Sequence, residues 1–178
     1  MRRLIVLAGV VGVSLLMSSG AFAQVPADPN NPNENVPDKA TYIPYGENIK
    51  LDAAKKAADA ALAEATKRGW PMCIAVVDTS GELVYFQKMD DCQYASVNIS
   101  EHKARAAARY RRPTVVFERL MGKGPFFSYL PTLGDAFIGS RGGNPIVVAG
   151  KIVGAIGVSG GAGSQDDLIS QAGAEALK

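Results

Sequence analysis

The hydrophobic and polar positions of this chain follow the period of a helix in some stretches and that of a strand in others. From Leu51 to Arg68, small apolar residues recur every three or four positions and charged residues lie between them, which predicts an amphipathic helix. Gly69 follows at the position of a left-handed C-terminal cap, and Pro71 prevents the helix from continuing. Because the apolar stripe is mostly alanine, we expect this helix to pack closely against a sheet or another helix.

A first β-hairpin is predicted directly after this helix. Residues 72–78 and 82–88 are rich in β-branched and aromatic side chains, which favour strands. Gly81, in the short connection between them, can adopt the left-handed conformation that a tight turn requires. These two runs therefore predict a pair of antiparallel strands.

A second hairpin is predicted near the C-terminus. Residues 146–148 and 152–158 are apolar, and the Ala149-Gly150 dipeptide between them suits the positive φ angles of a tight turn. The second run also contains glycines where another backbone or a ligand can approach closely, Gly154 and Gly157.

Helices are predicted over 95–109, over 115–121 and from Ser164 to Leu177, the last with Ser164 and Asp167 as a capping box. The glycine- and proline-containing stretch 122–144 is long for a connection, so we expect it to be functional or to cover a site, with one more strand near 136–138. Strands in hairpins with helices grouped between them indicate an α/β (α+β) fold. The predicted architecture is a single domain whose antiparallel sheet is covered by helices, rather than a Rossmann unit.

The N-terminus has the composition of a signal peptide. It begins with Arg2 and Arg3, continues with an apolar stretch, and reaches the small-residue pattern of a cleavage site at Ala23. We predict a signal peptide over 1–23, a flexible Pro- and Asn-rich arm over 24–47 and one domain over 48–178. The protein is expected to be periplasmic or secreted, with no membrane span after cleavage. An uncleaved N-terminal anchor is the alternative.

The charge of the chain changes little once this segment is removed. The sequence has 19 Lys and Arg against 17 Asp and Glu. Because Arg2 and Arg3 belong to the predicted signal peptide, the remainder carries equal numbers of basic and acidic side chains. A balanced chain gives no support for a nucleic acid or an anionic membrane as partner.

The two cysteines, Cys73 and Cys92, leave two interpretations open. In an oxidising compartment they are suited to form one disulfide between the first hairpin and the loop that follows it. Alternatively they are two small buried side chains, because Cys73 lies inside an apolar run. Neither a CxxC motif nor a metal-binding spacing is present.

Candidate chemistry is sparse. His102 is the sole histidine, suited to ligate a haem iron or to act as a general base, or else an ordinary solvated residue of a helix surface. No catalytic residue is assigned, because no nucleophile with a partner base is evident, and we expect a binding protein more than an enzyme.

An anion-binding function has its own candidates. The N–H groups of Gly160 and Gly161, ahead of the last helix, can receive a carboxylate or phosphate, although a simple strand-to-helix corner explains them equally well. Guanidinium groups suited to ligand carboxylates, and an aromatic residue of the long loop, complete the predicted ligand-binding set: Arg105, Arg112, Arg141 and Phe127.

Several short motifs, in this order along the chain, make it similar to the GlcG/HbpS family, whose domain also forms the C-terminal part of PduO-type proteins. The resemblance covers residues 48–178. The motifs are Ile74–Asp78 with Gly81–Leu83, Lys103–Ala107, Arg112–Thr114, Gly142–Ile146 and Gly154–Gly160.

The resemblance implies a five-stranded antiparallel sheet flanked by helices, similar to profilin-like folds, and assembly into homo-oligomers. It further implies haem as a cofactor, because several members bind haem or take part in haem-linked redox sensing. This chain lacks the histidines near the start of the domain that are candidate iron ligands in some relatives, and it has His102 where an acidic or small residue is more usual. The ligand set therefore does not transfer residue by residue.

Three functions follow as hypotheses. The first is an exported protein that binds haem, with His102 as the candidate iron ligand. The second is an enzyme or accessory protein acting on a small organic acid, suggested by the glycine-rich corner and Arg141. The third is an oligomer with a purely structural role and no small ligand.

Overall fold

The computed structural model describes residues 42–121, 134 and 138–178. The predicted signal peptide, most of the predicted arm and Phe127 lie outside these residues. The described part contains four helices and four strands: α1 (Leu51–Arg68), β1 (Cys73–Val77), β2 (Leu83–Lys88), α2 (Ser96–Arg109), α3 (Val115–Met121), β3 (Gly143–Val148), β4 (Lys151–Ser159) and α4 (Gly163–Glu175).

The strands form one antiparallel sheet in the order β2-β1-β4-β3. Both predicted hairpins are confirmed, and the second turns through Ala149 (φ 49°) and Gly150 (φ 75°). The antiparallel α+β domain is thus present, with four strands among the described residues rather than five. The further strand predicted near 136–138 falls on residues of which only Ile138 is described, and Ile138 lies outside any strand.

Helices cover both faces of this sheet. On one face, α1 and α4 bury alanines against strand side chains such as Ile74, Val76 and Ile156. Gly173 of α4 lets the two helices approach, since a Cβ there would lie 2.8 Å from the carbonyl oxygen of Ala57. The small side chains of the alanine stripe therefore let α1 pack closely against α4 and the sheet, as the sequence predicted.

The other face is covered by α2. Its alanines pack against Ala75, Val77 and Ala155, with Phe86 at the margin. This second core is made almost entirely of small side chains, so the helix lies close to the sheet. A change in the position of the α2 backbone would therefore also displace the strands that it contacts.

The chain before α1 is joined to the sheet by hydrogen bonds. Tyr45 forms a parallel bridge with Ile152 of β4, and the amide of Ile49 donates to the carbonyl oxygen of Val153 at 2.7 Å. The Tyr45 hydroxyl donates to the carbonyl oxygen of Ala108 at 2.9 Å, near the end of α2. Its ring and that of Tyr42 lie 4.3 and 4.1 Å from the guanidinium of Arg111. This segment therefore ties β4 to the end of α2.

Candidate functional site

The position of α2 is set by glycines in the strands beneath it. A Cβ on Gly157 would lie 2.1 Å from the carbonyl oxygen of Ser100, and one on Gly143 would lie 2.3 Å from that of Lys103. Real Cβ atoms do not approach this closely, so a side chain at either position would displace the helix. A glycine within the apolar run at Gly157 predicted the close approach of a backbone or a ligand, and the backbone of α2 lies there.

A buried ion pair joins α2 to the first turn of α4. The Nζ of Lys103 is 2.6 Å from Oδ2 of Asp166 and also donates to the carbonyl oxygen of Val158 at 3.1 Å. The two side chains are 1% and 4% exposed. Asp166 uses its other oxygen to accept from the amide of Gly161 at 3.0 Å. Every polar atom of the pair therefore has a protein partner, and the pair joins both helical layers through β4.

Sequence reasoning did not find this pair. Asp166 lies in the first turn of α4, where helix capping is a sufficient explanation for an acidic residue. A signal for Lys103 was nevertheless present, because it falls in helical phase with the residues that α2 buries, Ser96, Ser100, Ala104 and Ala107. A lysine inside a buried stripe requires an acidic partner.

The predicted anion site uses its amides internally. The amide of Gly161 is bonded to Asp166, and that of Ala162 donates to Oε1 of Gln165 at 2.8 Å. At Gly160, a Cβ would lie 2.1 Å from the carbonyl oxygen of Pro71. The loop is therefore a tight strand-to-helix corner. The amides of Gly161 and Ala162 are bonded to side chains of the chain itself and are not directed at a ligand.

Arg141, predicted to bind a ligand carboxylate, is paired with a carboxylate of the chain itself. Its Nε and Nη2 donate to Oε1 of Glu118 at 2.8 and 2.5 Å, and its backbone amide donates to Oε2 at 2.9 Å. These hydrogen bonds hold the pKa of the Glu118 carboxyl below its usual value and raise that of Arg141. A substrate carboxylate would have to displace Glu118, so the structure does not favour the organic-acid hypothesis.

His102 and Arg105 lie together on α2, one turn apart, and both are half-buried. No hydrogen bond or ion pair of His102 occurs within the described part of the chain. Arg105 donates from Nε to the carbonyl oxygen of Gly81 at 3.2 Å. Since i and i+3 positions share one side of a helix, the imidazole and the guanidinium are neighbours on the surface of α2.

Arg112 lies just beyond the end of α2. Its Nε donates to the carbonyl oxygen of Tyr110 at 2.9 Å, and its guanidinium carbon lies 5.9 Å from the centre of the Phe117 ring. Phe117 is buried and meets Tyr110 edge to face at 5.1 Å. His102, Arg105 and Arg112 thus place three basic side chains on α2 and just beyond its end.

The predicted ligand residues therefore fall into two groups. His102 and Arg105 occupy α2, with Arg112 at its exit, whereas Arg141, Gly160 and Gly161 surround the start of α4. The groups of the second set are engaged in internal contacts. Within residues 42–121 and 138–178, three or more His, Cys, Asp or Glu side chains do not gather in a way that would hold a metal ion.

The cysteines are neighbours in space. Cys73 and Cys92 are both buried and both free thiols. The Sγ of Cys92 lies 3.7 Å from the carbonyl oxygen of Ser159, the residue directly opposite Cys73 in the sheet. Burial, together with a hydrogen bond to the Cys92 thiol, raises the pKa of the Cys73 thiol to about 12.

A single α+β domain with a four-stranded antiparallel sheet, one face under an alanine-rich helix pair and the other under α2, defines the class of this protein. Residues 49–175 match the family described as "Haem degrading protein HbpS-like", and the chain belongs to this family. The match spans the described domain from Ile49, two residues before α1, to the end of α4.

Individual relatives agree with this assignment. The chain is 42% identical over 97 residues to protein GlcG of Escherichia coli K12, which covers 54% of this chain and 69% of that protein. The crystal structure of a double mutant of Streptomyces reticuli HbpS superposes with a TM-score of 0.69 at 28% identity, covering 81% of this chain and 97% of that one. A crystal structure of PduOC in complex with haem shares the fold, with a TM-score of 0.68 at 21% identity over 74% and 96% of the two chains.

Proposed function

We propose that this protein binds haem on the surface of α2. His102 ligates the iron, and Arg105 and Arg112 meet the propionate groups. The observation that supports the proposal is the state of His102, which is half-buried beside a guanidinium and makes no hydrogen bond within the described residues. Membership of a family described by haem degradation, and a haem complex of a protein with the same fold, support haem as the ligand.

The chemistry of these groups suits the ligand. A neutral imidazole is a common axial ligand of haem iron. Guanidinium groups form bidentate, charge-assisted hydrogen bonds with carboxylates such as propionates. Arg105 engages its Nε with Gly81, which fixes the side chain while its terminal nitrogens remain for a ligand. When bound, the haem supplies redox and oxygen chemistry, and the chain supplies binding and orientation.

We further propose that the protein is exported to the periplasm or secreted, and that it assembles into homo-oligomers. Residues 1–23 have the composition of a signal peptide, and the family resemblance implies the assembly. In the described part of the chain no helix has both the length and the apolar character needed to cross a membrane.

Titration of the purified apoprotein with hemin tests the haem proposal. We expect a saturable shift of the Soret band, and His102→Ala should change the position of that band because the proposed iron ligand would be lost. Arg105→Ala should leave the band in place and weaken binding about tenfold, the loss expected for one charge-assisted hydrogen bond.

Two controls make the result interpretable. Lys67→Ala removes a surface charge on α1, which covers the opposite face of the sheet, and should leave binding unchanged. Arg105→Lys keeps the charge, and circular dichroism of each variant reports whether α2 is intact. Spectra of the wild type identical to those of free hemin would contradict haem binding. A band unaffected by His102→Ala would contradict the assignment of the iron ligand alone.

A further inference from the structure

The reduced cysteines lie at the edge of the region that connects the first hairpin to α2. Cys73 is the first residue of β1 and is fully buried, and Cys92 lies in the β2–α2 connection with 4% of its surface exposed. Both are placed by backbone hydrogen bonds. The amide of Met89 donates to the carbonyl oxygen of Met72 at 3.0 Å. The amide of Cys92 donates to the carbonyl oxygen of Met89 at 3.3 Å.

The side chains meet on the α2 face of the sheet. In the antiparallel register, Cys73 stands opposite Ser159 of β4, on the same face as Ala75, which packs against α2. The Sγ of Cys92 contacts the carbonyl oxygen of Ser159 at 3.7 Å. The Ser159 hydroxyl is in turn 3.0 Å from the Ser96 hydroxyl in the first turn of α2. The thiols thus converge on one backbone position of β4 and on the start of α2.

We propose that Cys73 and Cys92 form a reversible intramolecular disulfide that fastens the β2–α2 connection to the sheet. The reduced structure already brings the two residues together through main-chain hydrogen bonds, so the bridge requires no long-range rearrangement, and disulfide formation is restricted to residues placed in this way. The inference does not depend on haem binding.

The chemistry is a thiol–disulfide exchange with a disulfide of a small thiol or of another protein as the oxidant. The Cys92 thiolate attacks one sulfur of that disulfide, its S–S bond breaks, and one thiolate leaves. The Cys73 thiolate then attacks Sγ of Cys92 in the mixed disulfide and expels the second thiolate. Overall the two cysteines lose two electrons and two protons, and the oxidant is reduced to two thiols.

The surroundings assign the order of these steps. The residues next to Cys92, namely Asp91 and Gln93, are exposed, whereas Cys73 lies beneath the helix and the strands. A reagent in solution therefore meets Cys92 first. Burial keeps the Cys73 thiol protonated well above neutral pH, so the second step is the slower one and becomes faster as the pH is raised.

The test uses the full purified chain equilibrated anaerobically in glutathione buffers of graded composition, quenched with an alkylating agent and weighed intact. In oxidising buffers we expect a species lighter by two hydrogen atoms that takes up no alkylating group, with Cys73 and Cys92 joined in one proteolytic fragment pair. The midpoint of the transition gives the reduction potential. The oxidised protein should melt about 5–10 °C higher than the reduced protein, because the bridge restricts the unfolded chain.

The masses of the wild-type protein decide whether the disulfide forms. Variants then test which cysteine is attacked first. Cys73→Ala should stop at a glutathione adduct on Cys92, and Cys92→Ala should remain unmodified while folded. Two alkylated thiols in the wild type under the most oxidising buffer would overturn the proposal. Disulfide-linked dimers without the intramolecular species would overturn it as well.

Discussion

Lys103 is the residue on which the arrangement of α2 and α4 depends most directly. Its ion pair with Asp166 is almost completely buried, so each charge has lost its hydration and is compensated chiefly by the other. A pair of this kind adds little net stability compared with a well-packed apolar pair. Removing one member is costly, because the remaining charge is left without a partner.

We expect Lys103→Met to lower the free energy of unfolding by about 3–5 kcal/mol, the cost of leaving Asp166 buried and unpaired. Urea denaturation followed by circular dichroism measures it. The matched control is Arg68→Ala, which breaks a surface pair with Glu64 at 2.6 Å and should cost less than ~1 kcal/mol. The double variant Lys103→Met, Asp166→Leu should recover much of the loss. Equal effects of the two single variants would contradict this account of the pair.

Cys73 makes stability depend on alkaline pH in the reduced protein. Its folded pKa of about 12 lies above the reference value of 9.0, so the unfolded state loses its proton first as the pH rises. The stabilisation is therefore complete below pH 9.0 and is lost progressively between there and about 12. The slope for one proton is at most ~1.4 kcal/mol per pH unit.

Comparing reduced wild type with Cys73→Ala isolates this contribution from other alkaline titrations. The difference between their free energies of unfolding should be constant from pH 7 to 8.5. It should then shrink or reverse toward pH 10.5, because only the wild type carries the titrating thiol. Parallel curves over the whole range would show that Cys73 titrates normally in the folded state.

Single residues were predictable to the extent that their roles are local. Gly69 takes the left-handed cap of α1 with φ 67°, as its place after a helical stripe indicated. The partners of Arg141 and Asp166 were not predictable, because Glu118 and Lys103 are distant in the sequence and meet them only through tertiary packing. The role of His102 as an iron ligand remains a prediction, and the structure shows its side chain half-buried on the surface of α2.

The distance between α2 and the sheet is set by two glycines, which have no side chains to hold the helix away. Gly143 and Gly157 are partners in the β3–β4 register, and both point at the α2 backbone. The helix can therefore approach the sheet more closely than side chains would allow. Lys103, which belongs to α2, is brought within reach of the carbonyl oxygen of Val158 by this approach.

We expect Gly157→Ala to destabilise the domain by at least ~3 kcal/mol, because the new methyl group would overlap backbone atoms of Ser100 and Ala104. Gly163→Ala is the control. Its Cβ would first meet the flexible side chain of Arg141 at 3.1 Å, and the expected change is below ~1 kcal/mol. Thermal unfolding of both variants measures the contrast, and a melting temperature of Gly157→Ala equal to that of the wild type would refute the close packing.

The sequence predicted the boundaries of a helix correctly where residues next to the boundary determine them. The predicted ranges of α1 and α3 agree with the structure. The start of α4 differs, because the predicted capping pair was Ser164 with Asp167. In the structure Gln165 caps the amide of Ala162 and Ser164 is exposed. Several residues near this corner are able to cap, and Asp166 is bonded instead to Lys103 and to the amide of Gly161.

The described residues form one sheet between two helical layers. Hydrophobic periodicity did not predict the order of the strands in this sheet. Hairpin signals identify which consecutive strands pair, and both hairpins were predicted on that basis. The pairing of β1 with β4 joins distant parts of the chain, and local patterns contain no information about it. The hairpin signals and the grouping of helices predicted the antiparallel sheet with its helical cover, which the structure confirms, whereas the family resemblance implied five strands and the described residues contain four.

The N-terminal segment also acquires its role only in the assembled domain. The sequence predicted a flexible arm over 24–47 and left Tyr42, Ile43 and Tyr45 as side chains able to dock on the domain or on another subunit. The hydrogen bonds of Tyr45 depend on β4 and on the last turn of α2, both of which lie far along the chain. The tyrosines that enclose Arg111 likewise require a partner that local sequence does not reveal.

The β1–β4 pairing has a consequence for how the chain folds. Cys73 faces Ser159 across the centre of the sheet, so β1 can pair with β4 only after most of the described domain has been synthesised. Each hairpin alone is only marginally stable, and pairing across so long a loop is slow because the loop must close first. The nascent chain therefore exposes the apolar faces of β1 and α1 until β4 has been made. Until β4 is available, we expect these apolar faces to make the unfinished chain prone to aggregation.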